Sequence, residues 1–392
     1  NAPGNHALNA AHPLPASWSA GAAPIFVRNA KKVEEGRRRG DRPVALKLGS
    51  WRVESRGSPE SISRRIAEVL LGFYFTLSTF HSCALWAFHS LIPLAPVFLT
   101  GYNENMKPPI ALLGTGLLGA ATAERLLDKE YPLTVFNRSE EKTRGLRRKS
   151  AKIAPSAEAA VTASHRVILM LTDFAAITEV LDEMPPDAIR GRAIIQMGTI
   201  SPAQSRSLAE RIGASGGEYL EAPVLGSRPE ARKGRLQILV GATPEQLERH
   251  RELFQDLGRS ITHFGEAGKA AAAKLALNQL IASLTAAFAL SLGYVQKEDI
   301  PVDAFMDILR ESALFAPTFD KKLKRMRERD FSNPNFPLRH LRKDLRLIMS
   351  EMKQSGLEVP FLEGLDRLVS DGLNQGLGNQ DYSALYNTIH SE

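Results

Sequence analysis

Lys274 and Asn278 stand four residues apart in a run rich in Ala and Leu, after Gly265-Glu266-Ala267-Gly268-Lys269. On a helix, side chains at that spacing project from one face, one turn apart. A lysine ammonium facing a cleft can stabilise the negative charge that develops on a carbonyl oxygen during reduction. It can also deliver the proton that completes the step. The asparagine would orient the lysine or the substrate. The same spacing fits an ordinary solvated helix face, and spacing alone does not choose between the two.

A second group of residues points to the partner such a lysine would need. Gly114-Thr115-Gly116-Leu117-Leu118-Gly119 follows the apolar run Pro109-Ile110-Ala111-Leu112-Leu113 and leads into the helix-like Ala120–Leu127. Leu133-Thr134-Val135-Phe136 reads as the next strand. G-x-G-x-x-G is weak evidence alone, but set between strand and helix with a second strand behind it, it marks a dinucleotide site. Gly114 permits the tight turn, Gly116 the approach of a pyrophosphate and Gly119 the packing of helix on sheet. Thr115, Leu117 and Leu118 complete the loop, whose phosphates would meet the N–H groups of the helix start. An acid at the end of the second strand would hold the ribose 2′-hydroxyl of NAD. Here Asn137-Arg138-Ser139 stands instead. Arg138 can pair with a 2′-phosphate, and Asn137 and Ser139 can hydrogen-bond it, so NADP(H) is expected over NAD(H).

The elements that must position these residues form two blocks. Val167–Leu171 and Ala193–Met197 read as buried strands ending at Thr172-Asp173 and Gly198-Thr199. Strand ends on that side of a doubly wound sheet line the cofactor crevice, which places Leu171, Thr172 and Thr199 in its wall. Glu218–Ala222 and Leu236–Val240 read as later strands. After about Gly265 the alternation stops. Lys269–Tyr294 is apolar nearly all round, the mark of a helix buried between partners, and helices broken at prolines follow. The expected fold is a doubly wound, mostly parallel α/β Rossmann domain over 106–268, then an all-helical domain over 269–392.

Composition trims the alternatives. The chain of 392 residues is 43% hydrophobic with a formal charge of +7. Residues 1–105 hold 12 bases against 7 acids, so the main body is close to neutral and offers no footprint for nucleic acid. One cysteine excludes an intrachain disulfide framework. Nine histidines without metal-ligand spacing argue against a metal. All three tryptophans lie before Met106 and all eight methionines at or after it. Met106 is therefore expected to begin the folded enzyme, with 1–105 an extension, disordered or a leader or gene-model artefact. Two rivals are a targeting segment and a membrane anchor. Residues 69–103 lack Asp, Glu, Lys and Arg, which is long enough to span a bilayer, although prolines and histidines interrupt the run. Residues 1–27 carry no charge and precede an Arg-rich stretch, faintly like a transit peptide. The expected location is the cytoplasm, or an organelle if that segment is genuine.

The order of four motifs resembles the β-hydroxyacid dehydrogenase family. They are Gly114–Gly119, Glu221-Ala222-Pro223-Val224, Gly265…Gly268…Lys274…Asn278 and Lys343-Asp344-Leu345. The family includes 3-hydroxyisobutyrate dehydrogenase, tartronate semialdehyde reductase and the glyoxylate/succinic semialdehyde reductases. The likeness runs from Met106 to about the C-terminus. It implies two domains joined by a long helix, Lys274 as acid/base, Asn278 as its helper and Lys343 approaching cofactor or substrate. It makes Asp344 mostly architectural and implies a homodimer or homotetramer. One departure stands out. The family loop usually reads P-V-S-G, with a serine on the substrate carboxylate, whereas here Pro223-Val224 is followed by Leu225-Gly226-Ser227. Ser227 and the backbone around Gly226 could hold a carboxylate, or Leu225 could favour a less polar carbonyl. The implied function is reduction of a small aldehyde or 2-oxo acid such as glyoxylate or succinic semialdehyde, or oxidation of a 3-hydroxy acid. An imine reductase is the alternative; those enzymes usually lack the lysine. A non-catalytic NADP-binding protein is a third reading.

Overall fold

Ile110-Ala111-Leu112-Leu113 is apolar at every position and wholly buried, as a strand covered on both faces must be. Its side chains alternate between two layers. Ile110 and Leu112 join Val135, Ile168, Ile195 and Leu220 on one side of the sheet. Ala111 and Leu113 join Val167, Leu169 and Ile194 on the other. In this computed structural model the described residues are 107–391 and three short segments before them. Those segments are strands β1 (Phe26–Asn29), β2 (Val44–Leu48) and β3 (Trp51–Ser55), paired antiparallel in the order β1-β3-β2. They belong to a separate unit. The expectations for Met106, for 69–103 and for the remainder of 1–105 lie outside the described residues.

The main body opens with β4 (Ile110–Leu113), helix α1 (Leu117–Asp128) and β5 (Leu133–Phe136). There follow α2 (Arg144–Arg147), β6 (Lys152–Ile153), α3 (Ala157–Thr162), β7 (Arg166–Leu169), α4 (Phe174–Asp182), β8 (Ala193–Gln196), α5 (Pro202–Ala214) and β9 (Glu218–Glu221). The domain closes with β10 (Val224–Leu225), α6 (Arg228–Arg232), β11 (Leu236–Gly241), α7 (Pro244–Leu257) and β12 (Gly258–Gly265). Six strands run parallel in the order β6-β5-β4-β7-β8-β9, the doubly wound arrangement whose ligand crevice lies where the strand order reverses, beside β4. β11 joins β9 antiparallel and carries β10 antiparallel and β12 parallel. β6, β10 and β12 are additions to the strands read from sequence.

The rest is helical: α8 (Lys269–Lys297), α9 (Val302–Glu311), α10 (Pro317–Glu328), α11 (Leu338–Gln354), α12 (Pro360–Asn374) and α13 (Leu385–Ile389). Among the described residues, α8 is the one helix long and apolar enough to cross a membrane. Here it serves as the core helix of this domain. Leu275 and Ala282 pack with α11 and α12, and Phe288, Ala289 and Leu292 pack with α10.

Candidate active site

The glycine loop has the shape its spacing requires. Gly114 adopts φ +96°, and a side chain there would overlap the Met170 carbonyl oxygen. A side chain at Gly119 would overlap the Gly114 carbonyl oxygen, so α1 starts pressed against the turn. Gly116, by contrast, faces open space, with nothing within 4 Å of where a Cβ would lie. No side chain caps α1, so the first N–H groups of the helix are free for an anion. The Thr115 hydroxyl is buried without a partner among the described residues. An open approach, unpaired helix N–H groups and an orphaned hydroxyl together fit a dinucleotide pyrophosphate.

At the end of β5 the three predicted residues divide their work. Asn137 Oδ1 accepts from Thr115 N–H at 2.9 Å and its Nδ2 donates to the Ser139 carbonyl at 3.0 Å. Asn137 thus braces the glycine loop, and Ser139 closes that local turn. Arg138 is 84% exposed and pairs with Glu179 of α4 at 3.2 Å. Sequence offered no sign of Glu179, because the two lie 41 positions apart. Leu171 is half-buried with its side chain against Gly114, while Thr172 is exposed at the end of β7.

α8 brings Lys274 and Asn278 into the interior, 8% and 4% exposed, which rules out the solvated-face reading. Asn278 Nδ2 donates to Asp344 Oδ2 at 2.7 Å. Lys343 Nζ lies 2.7 Å from Asp344 Oδ1 and donates to the Thr199 carbonyl at 2.9 Å. Helix α11 is thereby tied both to α8 and to the end of β8. Lys274 Nζ has no hydrogen-bond partner among the described residues. Burial depresses its pKa from 10.5 to about 8; the Asp344 charge raises it and the Lys343 charge lowers it. The chemistry available is that of an amine poised to give or take a proton near neutral pH. Asp344, expected to be architectural, is buried at the centre of this cluster and acts on both predicted residues.

In the loop after β9, Ser227 is engaged within the chain. Its hydroxyl donates to Glu230 Oε2 at 2.6 Å and its N–H to the same oxygen at 2.8 Å. Those bonds hold the Glu230 carboxyl below its usual range, so it is anionic at neutral pH. A serine engaged to a carboxylate is a poor site for a second one. Leu225 is half-buried on β10, opposite Gln237. Gly226 has φ +129°, with the Leu236 and Glu230 side chains where a Cβ would go.

Residues 109–265 match the family described as the NAD binding domain of 6-phosphogluconate dehydrogenase. Residues 268–389 match the one described as NAD-binding of NADP-dependent 3-hydroxyisobutyrate dehydrogenase. Glyoxylate/succinic semialdehyde reductase 1 of Arabidopsis thaliana is 29% identical over 283 residues, covering 71% of this chain and 98% of that protein. The uncharacterized oxidoreductase YfjR of Bacillus subtilis is 30% identical over 285 residues, covering 71% and 99%. The 3-hydroxyisobutyrate dehydrogenase of Mycobacterium tuberculosis, solved with L-serine, has the same fold, with a TM-score of 0.66 at 23% identity over 73% of this chain and all of that one.

Proposed function

The chain belongs to the β-hydroxyacid dehydrogenase family, NAD(P)-dependent oxidoreductases acting on CH–OH groups, and on that premise we propose that it reduces a small aldehyde or 2-oxo acid of the glyoxylate or succinic semialdehyde kind with NADPH, or runs the reverse oxidation of a 3-hydroxy acid. The observation that carries this reading is Lys274, a buried amine without a hydrogen-bond partner among the described residues and with a pKa of about 8. Bound NADPH would supply the hydride. The Lys274 ammonium gives its proton to the carbonyl oxygen and holds the charge that builds there. Asn278 has one amide N–H on Asp344, which fixes its plane and leaves its carbonyl oxygen and second N–H for the lysine or the substrate. Lys343 pins α11 to the strand end that borders the crevice.

Electrostatics favour an acid substrate. A hollow of about 470 Å³ beside Lys343 is lined by Arg339, Arg342, Lys343, Arg346, Leu347 and Leu373. Lys343 is paired with Asp344 and Arg342 with Asp366, so Arg339 and Arg346 are the charges left there to attract an anion. Against this, Leu225 and the engaged Ser227 favour a less polar electrophile, which is the observation behind the imine alternative. An absorbance assay of NADPH with short oxo acids, neutral aldehydes and cyclic imines separates them. Oxo acids and acidic semialdehydes are expected to lead in kcat/KM by about tenfold or more, or about 1.4 kcal/mol. A lead for the imines would overturn the assignment.

Cofactor choice rests on Arg138. Because its pair with Glu179 is exposed, it is worth only about 0.2–1 kcal/mol, and a 2′-phosphate can compete for the guanidinium. Arg138→Ala is expected to raise the NADPH KM about tenfold or more and to move the NADH KM much less, the loss being that of a charge-assisted contact. Glu179→Gln should lower the NADPH KM about two- to fivefold, because the guanidinium is released and a repelling charge is removed. Steady-state kinetics with both cofactors test this; unchanged preference in both variants would remove Arg138 from the account. Self-association as a homodimer or homotetramer would cover Leu290, Tyr294, Ile308 and Leu314, each more than 60% exposed.

A further inference from the structure

The helix that presents Lys274 lacks a cap of its own. Its N-cap is Gly268, in the left-handed region at φ +96°, and no side chain of its first turn bonds back to the backbone. The opening N–H groups of an α-helix have no acceptor within the helix. The Lys269 N–H reaches the Glu266 carbonyl at 3.2 Å. Those of Gly268 and Ala271 both donate to the carboxylate of Glu221, one to each oxygen. Glu221 is the last residue of β9 and is 1% exposed. Its Oε2 also accepts from Ser205 Oγ at 2.8 Å, and that hydroxyl lies 2.8 Å from Tyr219 Oη. On the adjacent strand, a side chain at Gly241 would come within 2.9 Å of the same carboxylate. Glycine there keeps the space open.

Burying a carboxylate is costly unless it is fully hydrogen-bonded, and burial does push the Glu221 pKa up while its three donors pull it down. The positive end of the helix dipole adds to their effect. The position of this contact gives it consequences for chemistry. Ala271, Lys274 and Asn278 follow the i, i+3, i+7 spacing and so share one face of α8. Lys274 sits one turn, about 4.5 Å, beyond the tethered Ala271.

We propose that Glu221 is a positioning residue for the reduction: by capping α8 from the sheet edge, it fixes the rotation and axial register of that helix and thereby the direction in which the Lys274 amine points. This rests on Lys274 being the proton donor. The test is a double-mutant cycle on the full chain with Glu221→Gln, Lys274→Ala and the double variant, kcat being referred to the fraction that binds NADPH. Glutamine keeps the size but turns an NH2 toward one of the backbone N–H groups. A displacement of about 1 Å can cost about 10²-fold in rate. Glu221→Gln is therefore expected to lower kcat about 10- to 100-fold in the Lys274 enzyme, with NADPH affinity within about twofold, and to cost nothing further where Lys274 is already alanine. An undiminished kcat, or an equal loss in both backgrounds, would overturn the proposal. A Lys274→Ala enzyme with full turnover would instead overturn the reading it rests on. If Glu221→Gln leaves no NADPH-binding fraction, Glu221→Asp, which keeps the charge and shortens the reach, is read in the same cycle with the same two outcomes.

Discussion

Lys274→Ala is expected to lower kcat for carbonyl reduction about 10³- to 10⁴-fold, a rise in barrier of about 4–5.5 kcal/mol, while NADPH binds within about twofold of its usual affinity. The size follows from what the amine does. Proton donation by a positioned group contributes about 10²- to 10⁴-fold, and loss of one stabilising donor at a developing oxyanion costs about 10²- to 10³-fold. One group supplies both, so the two losses do not simply multiply. The binding side should be spared, because the glycine loop, Asn137 and Arg138 belong to the other domain. Lys274→Met adds a control: it fills the buried space without the charge, so a cavity at this 8% exposed position does not explain the loss. Single-turnover measurement of NADPH consumption reads the step directly. Turnover close to that of the unaltered enzyme in both variants would end the assignment.

The parts of this site legible in sequence share one property: local backbone geometry dictates them. Gly114 and Gly119 announce themselves because no other residue fits where the turn and α1 come together. β4, β5, β7 and β8 are legible because strands covered on both faces read as short, mainly apolar runs. The illegible parts lack that property. β6 and β10 have two residues each, too few for a period. β12 is an edge strand, half-buried or exposed throughout, so Gly258–Gly265 shows no alternation. Spacing could not say whether Lys274 faced water or the interior, because α8 is apolar on nearly every side; the neighbours that bury it come from α10, α11 and α12. Ser227 is a different case. Its nearness to Gly226 is visible in the chain, and so is the capping-box spacing Ser227-x-x-Glu230 that commits its hydroxyl and N–H to Glu230 at the start of α6. Asp344 and Glu179 are contacts across long sequence separations, which no local pattern encodes.

The contact across the longest of those gaps leads to the second large effect, which is a displacement along pH. Reduction consumes the Lys274 ammonium, so kcat should fall as pH rises through about 8. Oxidation needs the neutral amine and should rise through the same value. Of the charges facing Lys274, Asp344 stabilises the ammonium and Lys343 opposes it. His340, on α11 nearby, is held below its ordinary range by burial and by the charges of Arg339 and Lys343, so it stays neutral across this window. Asp344→Asn keeps an oxygen for the Asn278 amide and removes the one charge that favours the protonated amine. The midpoint should therefore drop by about one pH unit or more. At pH 8.5 reduction would slow by about tenfold, whereas near pH 6 it would return toward the level of the unaltered enzyme, and the oxidative limb would begin at lower pH. Mere disruption of packing would depress both directions at every pH. Opposite movement of the two limbs is thus the signature of a carboxylate acting through the charge of the lysine, and two profiles lowered in parallel would show that Asp344 only holds the helices together.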